Sequence, residues 1–378
     1  MNIIGTALFY DKENMNVRTT FNLALIRNFL NLNGEPWLNL PNDLLYLSLI
    51  PEGFIVNVPE IIEKYNFRNN GMLEFLGDAV FDVVVAQYLV NYNLDSYPLF
   101  AAHFVSNSVL TCLLHRTYVC DIEFPVTGKD CADRFEAIIG TLFYYRKDIQ
   151  LEKNALDAVS EWFYYTFNMT ELFNQVNQTG NNIYSGSVVA YPQRNAQPIT
   201  MNMTIEVTLP ENFRIKMESV KKILGDVDIE FLDEMPLDFL LLAFMDMWIP
   251  DPIKNTYVSK YGLMDRSRFK YLGKALYKLL VAYDIIHLAQ LNILKSMRYE
   301  DVTKVHSADH FIRVIKEKSL DTHTLSGHAH PNLIYSLFGV LYYYLYNIQG
   351  YPNAFDIFQN WFIHFWPADL RAYNVLQR

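Results

Sequence analysis

The fold is decided by the ten residues Met72–Phe81, which read MLEFLGDAVF and return further along the chain as RFKYLGKALY at Arg268–Tyr277. Most apolar positions, the glycine and the alanine coincide in the two segments. A second pair follows in the same order, with AIIGTLFYY at Ala137–Tyr145 beside SLFGVLYYY at Ser336–Tyr344. The offsets are 196 residues for the first pair and 199 for the second. Two segments that agree on nearly one offset indicate two copies of one domain.

Both copies are predicted to be helical. Around the first segment the apolar residues recur at the spacing of one helix face, and they are Leu73, Leu76, Val80, Val83, Val84 and Tyr88. Phe100–His115, Arg134–Tyr145, Ile215–Leu224 and Leu237–Met247 show similar patterns. We therefore predict an all-α fold class with one helical domain over 41–168 and a second over 233–365.

The remaining segments are assigned by composition. Residues 169–232 form the predicted linker, because Asn168–Pro210 is rich in Asn, Gln, Thr, Gly and Ser. Within it, Thr200–Leu209 alternates apolar and polar residues, which predicts a short strand or hairpin and so a small β-containing linker. Residues 1–40 are an N-terminal extension and 366–378 a C-terminal tail.

Composition limits the possible partners. The 378 residues carry a formal net charge of −10, and 51% of them are hydrophobic. A negative chain is not held to nucleic acid by general phosphate attraction, so any nucleic-acid function must depend on a local site. The uncharged, tyrosine-rich segment Pro331–Asn347 is too short for a membrane span and predicts a buried helix, so we expect a protein without a membrane partner.

The cysteines and the N-terminus bear on the compartment. Cys112, Cys120 and Cys131 leave one cysteine unpaired under any disulfide scheme, and the N-terminus lacks the pattern of a secretory signal. We therefore expect an intracellular, reducing compartment, the cytoplasm or nucleus, with the mitochondrion also open. A zinc site from these cysteines and His115 is an alternative to ordinary buried thiols, which we favour.

Four acids of the first copy form two pairs. Glu74 and Asp78 are four residues apart, and Asp133 and Glu136 are three apart, so each pair shares a helix face. On spacing alone a solvated face explains such pairs best. The first pair, however, lies inside an apolar core segment, where repelling acids are costly unless a cation neutralises them. Four carboxylates without a nearby His or Cys ligand motif suit Mg²⁺.

The segments around these acids resemble ribonuclease III. Asn70–Val80 resembles the signature helix of that family, Val105–Asn107 with Leu110 is similar to its second motif, and Ala132–Gly140 is similar to its third, preceded by Lys129. The resemblance covers about residues 41–168, and it reaches 233–365 only through the internal repeat. It implies two ribonuclease III-like helical domains that form an intramolecular pseudo-dimer in place of a homodimer.

The resemblance also implies a function. By it, Glu74, Asp78, Asp133 and Glu136 are catalytic metal ligands for two ions of Mg²⁺ or Mn²⁺. The supporting residues that it implies are Asn70, Ser106, Asn107 and Lys129. Such enzymes hydrolyse double-stranded RNA and leave 5′-phosphate and 3′-hydroxyl ends. Gly71-Met72 departs from the family's Glu-Arg, and no double-stranded-RNA-binding domain follows, so homodimerisation is in doubt and we expect a protein partner that supplies RNA affinity.

The second copy has lost all four acids. Lys270 and Lys274 replace the first pair, while Asn332 and Tyr335 lie at the positions of the second. Ammonium groups repel Mg²⁺, so this copy cannot hold the catalytic metals. The two lysines either contact RNA phosphates or are solvated or paired with nearby acids. The histidine-rich segment Thr322–His330 is interpreted as a loop, a transition-metal site being the alternative.

The sequence leads to three functional hypotheses. The first is a metal-dependent endoribonuclease with one active site per chain, acting on double-stranded or structured RNA. The second is a non-catalytic ribonuclease III-fold subunit of a ribonucleoprotein or of a transcription or RNA-processing assembly. The third, an unrelated helical protein, requires both the repeat and the acids to be coincidences.

Overall fold

The structure is a computed structural model in which the chain is predominantly helical, as predicted. It describes residues 4–11, 16–51, 54–56, 59–67, 69–93, 104–106, 109–110, 128–171, 197–225, 230–245, 251–262, 266–290, 308–323 and 332–365. Within these ranges, no helix has the length and apolar character needed to cross a bilayer.

Two compact units divide the chain. Unit 1 comprises Met1–Val85, Ala101–Pro192 and Ala289–Ile293, and unit 2 comprises Ala86–Phe100, Gln193–Leu288 and Leu294–Arg378.

Elements up to residue 171 are numbered here in chain order. The strands are β1 (Ile4–Asp11), β2 (Asn16–Asn22), β3 (Phe54–Val56) and β4 (Tyr92–Asn93). The helices are α1 (Leu23–Phe29), α2 (Asn42–Ser48), α3 (Pro59–Tyr65), α4 (Gly71–Leu89), α5 (Gly128–Tyr144) and α6 (Ala155–Thr166), with a π-helical turn at Tyr145–Ile149.

The elements from residue 197 onward begin with strand β5 (Gln197–Pro198). The helices are α7 (Glu211–Leu224), α8 (Glu230–Glu234), α9 (Leu237–Leu241), α10 (Asp251–Tyr261), α11 (Ser267–Gln290), α12 (Ala308–Glu317), α13 (Asn332–Tyr343) and α14 (Ala354–Phe365). A second π-helical turn covers Tyr344–Ile348, and 3₁₀ turns cover Leu242–Phe244 and Leu320–His323.

Two small sheets accompany the helices. The first has the order β2-β1-β3 and is antiparallel, with Phe9 opposite Val17 on one side and Val56 on the other. It gives structure to part of the N-terminal extension, which the sequence left unassigned. The second sheet pairs β4 with β5, so the linker does contain a strand.

The strand predicted over Thr200–Leu209 is wrong. The Asn202 side-chain oxygen accepts hydrogen bonds from the Thr204 amide (3.2 Å) and the Thr204 hydroxyl (2.6 Å). The Asn202 carbonyl also accepts a bond from the Ile205 amide at 3.2 Å. These local bonds offer the backbone a turn in place of a ladder partner, so the alternating pattern forms no sheet.

Helix α4 buries the face that its spacing predicts. Leu73, Leu76, Val80 and Val83 are fully buried, and Phe81 meets Phe163 of α6 edge to face with ring centroids 5.2 Å apart. Aromatic pairs of this kind add stabilisation beyond the buried area alone. Helix α4 therefore contributes this face to the unit 1 core.

The internal repeat is present in the backbone packing. A Cβ added to Gly77 of α4 would lie 1.7 Å from the Glu136 carbonyl oxygen of α5, and one added to Gly140 would lie 2.0 Å from the Leu73 carbonyl oxygen. In unit 2, Gly273 and Gly339 of α11 and α13 show the equivalent distances of 1.8 and 1.9 Å. Both units thus cross two core helices at a pair of glycines that no side chain can replace.

Other features repeat as well. In each unit the second helix of the crossing, α5 or α13, is followed by a π-helical turn. At this turn a glutamine amide donates to a tyrosine hydroxyl, Gln150 to Tyr145 and Gln349 to Tyr344. These features were not predicted from the sequence. They extend the repeat past the matched segments, to Gln150 and Gln349.

A polar triad is also repeated. In unit 1, Lys64 and Tyr65 donate to the Asp43 carboxylate at 2.8 and 3.0 Å. In unit 2, the equivalent Lys260 and Tyr261 donate to Asp238 at 2.7 and 2.6 Å. The second ion pair has side chains only 9% exposed, whereas the first is 52% and 33% exposed.

Some sequence predictions concern residues outside the described ranges. Cys112, Cys120, His115 and Thr324–His330 all lie there, and so does most of the predicted helix Phe100–His115. The uncharged run Pro331–Asn347 is confirmed as a buried helix where it is described, at α13 and its π-helical turn.

Cys131 corrects one expectation, because it is disulfide-bonded and 2% exposed, whereas ordinary buried thiols were expected. An odd cysteine count leaves one residue over but does not prevent the other two from pairing. The compartment stays a prediction.

Candidate metal centre

The first acid is placed by the start of helix α4. The Asn69 side-chain oxygen accepts a hydrogen bond from the Gly71 amide at 3.0 Å, and the Asn70 carbonyl accepts one from the Glu74 amide at 2.7 Å. An Asn side chain satisfies such a free amide at a helix start. Glu74 therefore lies in the first turn of the helix, three residues before the glycine of the crossing.

The other acids are carried by helix α5. Asp133 and Glu136 lie one turn apart on it, and the Glu136 carbonyl is the atom against which Gly77 packs. Because the two backbones approach so closely at this point, the carboxylates of the two helices lie close together.

Three of the four predicted ligands converge. Glu74, Asp133 and Glu136 each offer a carboxylate oxygen, and these oxygens all lie within 4.8 Å of one another. Glu136 is only 9% exposed, and the other two are half-buried. Two oxygens bound to one Mg²⁺ at about 2.1 Å can be no more than about 4.2 Å apart, so a small contraction suits the site to that ion. The all-oxygen donor set fits the same choice.

Asp78 is not a member of this group. It is half-buried and lies one turn beyond Glu74 on the same helix. The structure thus brings together three of the predicted acids, and the complete set of four stays a prediction.

Lys129 lies beside the acids on the exposed side. Its Nζ is 2.9 Å from Asp133 Oδ2, four residues further along α5, and its side chain is 70% exposed. The hydrogen bond to Asp133 raises the pKa of Lys129, and the charges of Asp133, Glu74 and Asp130 raise it further. The ammonium therefore balances part of the negative charge of the cluster.

The other supporting residues are less directly placed. Asn70 is 1% exposed, and its side-chain oxygen is a buried acceptor without a hydrogen-bond partner among the described residues. Such an atom is uncommon in a folded protein. The Ser106 carbonyl begins a helical turn by accepting from the Val109 and Leu110 amides, while Asn107 lies outside the described residues.

Sequence analysis missed two features of the site. Gly77 and Gly140 served only to align the repeats, although their packing is what joins the two acid-bearing helices. The disulfide of Cys131, two residues before Asp133, was not expected either. A small residue recurring at the same place in both copies is the signal that could have located the crossing.

The second copy presents a different set of side chains. Lys270 is half-buried and Lys274 exposed on α11, while Asn332 and Tyr335 are half-buried on α13. Burial lowers the pKa of Lys270, and the like charges of Arg266 and Lys274 lower it further. Among the described residues, unit 2 contributes no member to a group of metal-binding side chains.

Comparison with known proteins gives one distant structural likeness to report. No protein-family model matches the sequence, and no curated protein matches it. Among solved structures, the chain is similar to the crystal structure of Dicer from Giardia intestinalis, with a TM-score of 0.43 and 12% identity. The match covers 79% of this chain and 55% of that one, so this chain spans about half the length of the matched protein.

Proposed function

We propose that residues 41–168 form a metal-dependent endoribonuclease of the ribonuclease III type with one active site per chain. The observation that carries this proposal is the convergence of Glu74, Asp133 and Glu136 from two helices to within 4.8 Å. The motif resemblance supplies the substrate class, double-stranded or structured RNA, and the 5′-phosphate and 3′-hydroxyl ends.

The three acids would hold Mg²⁺ or Mn²⁺, with Asp78 as the proposed fourth ligand. Two ions bound there would supply a nucleophilic water and stabilise the leaving oxygen of the phosphodiester. The half-buried position of Glu74 and Asp133 leaves the cluster open to a ligand on one side. Lys129 would orient Asp133, while Asn70, Ser106 and Asn107 would support the site.

The tandem arrangement belongs to the same proposal. We propose that the two copies act as an intramolecular pseudo-dimer with a single live site, which would cut one strand of a duplex. The net charge of −10 gives little general attraction for RNA, so a protein partner would supply affinity. Light scattering tests the intramolecular pseudo-dimer, because a chain of 44.2 kDa that pairs its own two copies should remain monomeric.

The decisive experiment compares Glu136→Gln with wild type on duplex RNA in Mg²⁺ or Mn²⁺. Glu60→Gln is the matched control, since it makes the same charge change at an exposed position on α3. We expect Glu136→Gln to lose more than the roughly 10–100-fold typical of residues outside the ligand shell, and the control to keep full activity. Equal cleavage by all three proteins, or cleavage that persists in EDTA, would refute the proposal.

A non-catalytic subunit is the second candidate. Two observations favour it, since Asp78 is not a member of the acid group and Lys129 already pairs with Asp133. This hypothesis expects a stable partner to co-purify, with binding unaffected when Glu74, Asp133 and Glu136 are all changed to amides. An active protein isolated without a partner would exclude it.

A further inference from the structure

The four positions that carry acids in unit 1 carry hydrogen-bond donors in unit 2. Glu74 and Asp78 correspond to Lys270 and Lys274, while Asp133 and Glu136 correspond to Asn332 and Tyr335. Ionised carboxylates only accept hydrogen bonds, whereas ammonium, amide and phenol groups can all donate them. The chemistry of the position is thus reversed, from one that suits a cation to one that suits an anion.

The backbone beneath these positions is the same in both units. A Cβ on Gly273 would lie 1.8 Å from the Tyr335 carbonyl oxygen, against 1.7 Å between the equivalent Gly77 and Glu136. The change of chemistry is therefore a change of side chains on a retained helix crossing, and the donors of α11 and α13 start from equivalent backbone positions.

The lysines lack the neighbours that surface lysines usually find. Among the described residues, no carboxylate forms an ion pair with Lys270 or Lys274. Instead, Lys270 and Lys274 lie four residues apart on one face of α11, and Arg266 immediately precedes this helix, four residues before Lys270. Lys270 also lies in the first turn of this helix of 24 residues, where the helix dipole is positive.

Burial and repulsion both act against the charge on Lys270. Its pKa is lowered first by burial and then by the charges of Arg266 and Lys274. Across the crossing, burial raises the pKa of Tyr335 to about 12, so this phenol keeps its proton at neutral pH. Lys270 and Lys274 repel each other and have no carboxylate partner among the described residues, an unfavourable arrangement that a bound anion would relieve.

We propose that the crossing of α11 and α13 in unit 2 binds a phosphate group, with Lys270 and Lys274 as the cationic ligands and Asn332 and Tyr335 as neutral donors. The phosphate is either a phosphodiester of an RNA backbone or free inorganic phosphate. The RNA source rests on the proposed function, in which this chain acts on RNA, whereas the inorganic source does not.

Two binding assays test the proposal, both in EDTA so that the acidic cluster holds no metal. The site variant is Lys270→Gln with Lys274→Gln, and the matched control is Lys222→Gln with Lys316→Gln, two exposed lysines of unit 2. In the RNA assay, fluorescence anisotropy follows a short RNA duplex over a range of salt concentrations. In the phosphate assay, thermal melting follows the response to inorganic phosphate against chloride at equal ionic strength.

The expected result is specific to the site variant. In the RNA assay, the negative slope of log affinity against log salt should become less steep by about 2, about 1 for each lysine–phosphate contact that is lost. The control should keep its slope. In the phosphate assay, phosphate should raise the melting temperature of wild type and control but not of the site variant. A response confined to the RNA assay identifies the backbone as the source, and one confined to the phosphate assay identifies free phosphate.

Site variant and control behaving alike in both assays would overturn the proposal. Should the double variant fail to fold, Lys274→Gln alone decides the matter, because Lys274 is exposed and its loss should lower the slope by about 1. Cleavage is measured in neither assay. A protein that cuts no RNA but binds phosphate here would remove the nuclease proposal and keep this one.

Discussion

Changing Gly77 to Ala should separate the helices that carry the acids. The new Cβ would lie 1.7 Å from the Glu136 carbonyl oxygen and 2.7 Å from the Gly140 amide nitrogen. Ordinary van der Waals contact begins near 3.4 Å, so α4 and α5 must move apart by about 1.7 Å. Both opposing atoms belong to the backbone of a packed helix, and neither can turn aside as a flexible side chain would.

The cost follows from that displacement. Overpacking a core by one methyl group costs roughly 1–3 kcal/mol, and a backbone clash of this size belongs at the upper end, about 3 kcal/mol. For a unit of 150–250 residues this lowers the melting temperature by roughly 6–12 °C. The same movement would spread the acid oxygens from 4.8 Å to as much as about 6.5 Å, beyond the roughly 4.2 Å span of one Mg²⁺.

The second copy supplies the matched control. Gly273→Ala places a Cβ 1.8 Å from the Tyr335 carbonyl oxygen, so it should destabilise unit 2 to a similar extent without moving any acid. The assay is thermal melting with and without Mn²⁺. We expect both variants to melt early and only Gly77→Ala to lose the stabilisation by Mn²⁺. An unchanged melting temperature for Gly77→Ala, or an equal loss of the metal response in both variants, would refute the reasoning.

Three further predictions concern the free energy of unfolding. Lys270→Gln should stabilise the protein by about 0.4–1 kcal/mol relative to Lys222→Gln, because it removes the repulsion of Lys270 by Arg266 and Lys274. The pKa of Lys270 is lowered in the folded state, so this gain should shrink as the pH rises through that pKa and the lysine becomes neutral. Asp238→Ala should cost about 3–5 kcal/mol in urea unfolding because it leaves the buried Lys260 unpaired, whereas Asp43→Ala at the exposed equivalent pair should cost less than about 1 kcal/mol. Arg27→Met should lower the free energy of unfolding by at least about 3 kcal/mol, since the guanidinium donates hydrogen bonds to four backbone carbonyls. Equal costs for the two Asp variants, or a fully stable Arg27→Met, would contradict these estimates.

Much of the helical fold could be predicted because the evidence for it is local. The apolar spacing in Leu73–Val84 fixes one face of α4, and that face is fully buried in the structure. The repeat was equally visible, since glycines that permit a backbone crossing tolerate no replacement, and Gly77 and Gly273 therefore align the two copies.

The features that could not be predicted depend on contacts between residues that are far apart in the sequence. The two strands that pair with β1 both follow it in the sequence and lie on either side of it in the sheet, and no pattern within Ile4–Asp11 identifies them. At Thr200–Leu209 the alternation predicted a strand, but the turn around Asn202 satisfies the backbone locally. The burial of Asp238, in contrast to Asp43, follows from the elements packed around each acid and not from the residues themselves.

Asp78 shows the limit of residue spacing as a way to locate a metal site. A separation of four residues puts Asp78 and Glu74 on one face of α4, but successive turns of a helix are about 5.4 Å apart along its axis. The acids of α5 meet α4 near Gly77, and the group that forms there includes Glu74 but not Asp78. Sequence spacing therefore identifies a shared face, while the position of the crossing decides which carboxylates meet.

The two units together separate what the backbone contributes from what the side chains contribute. Both retain the glycine crossing with contacts that agree to within 0.1 Å, so unit 2 did not lose its acids through a change in packing. A rigid crossing fixes where four side chains begin, and their chemistry then decides the sign of the charge that they can bind. This is why carboxylates in one unit and lysines in the other can occupy equivalent positions without a change of fold, and why each set has to be tested by its own ligand.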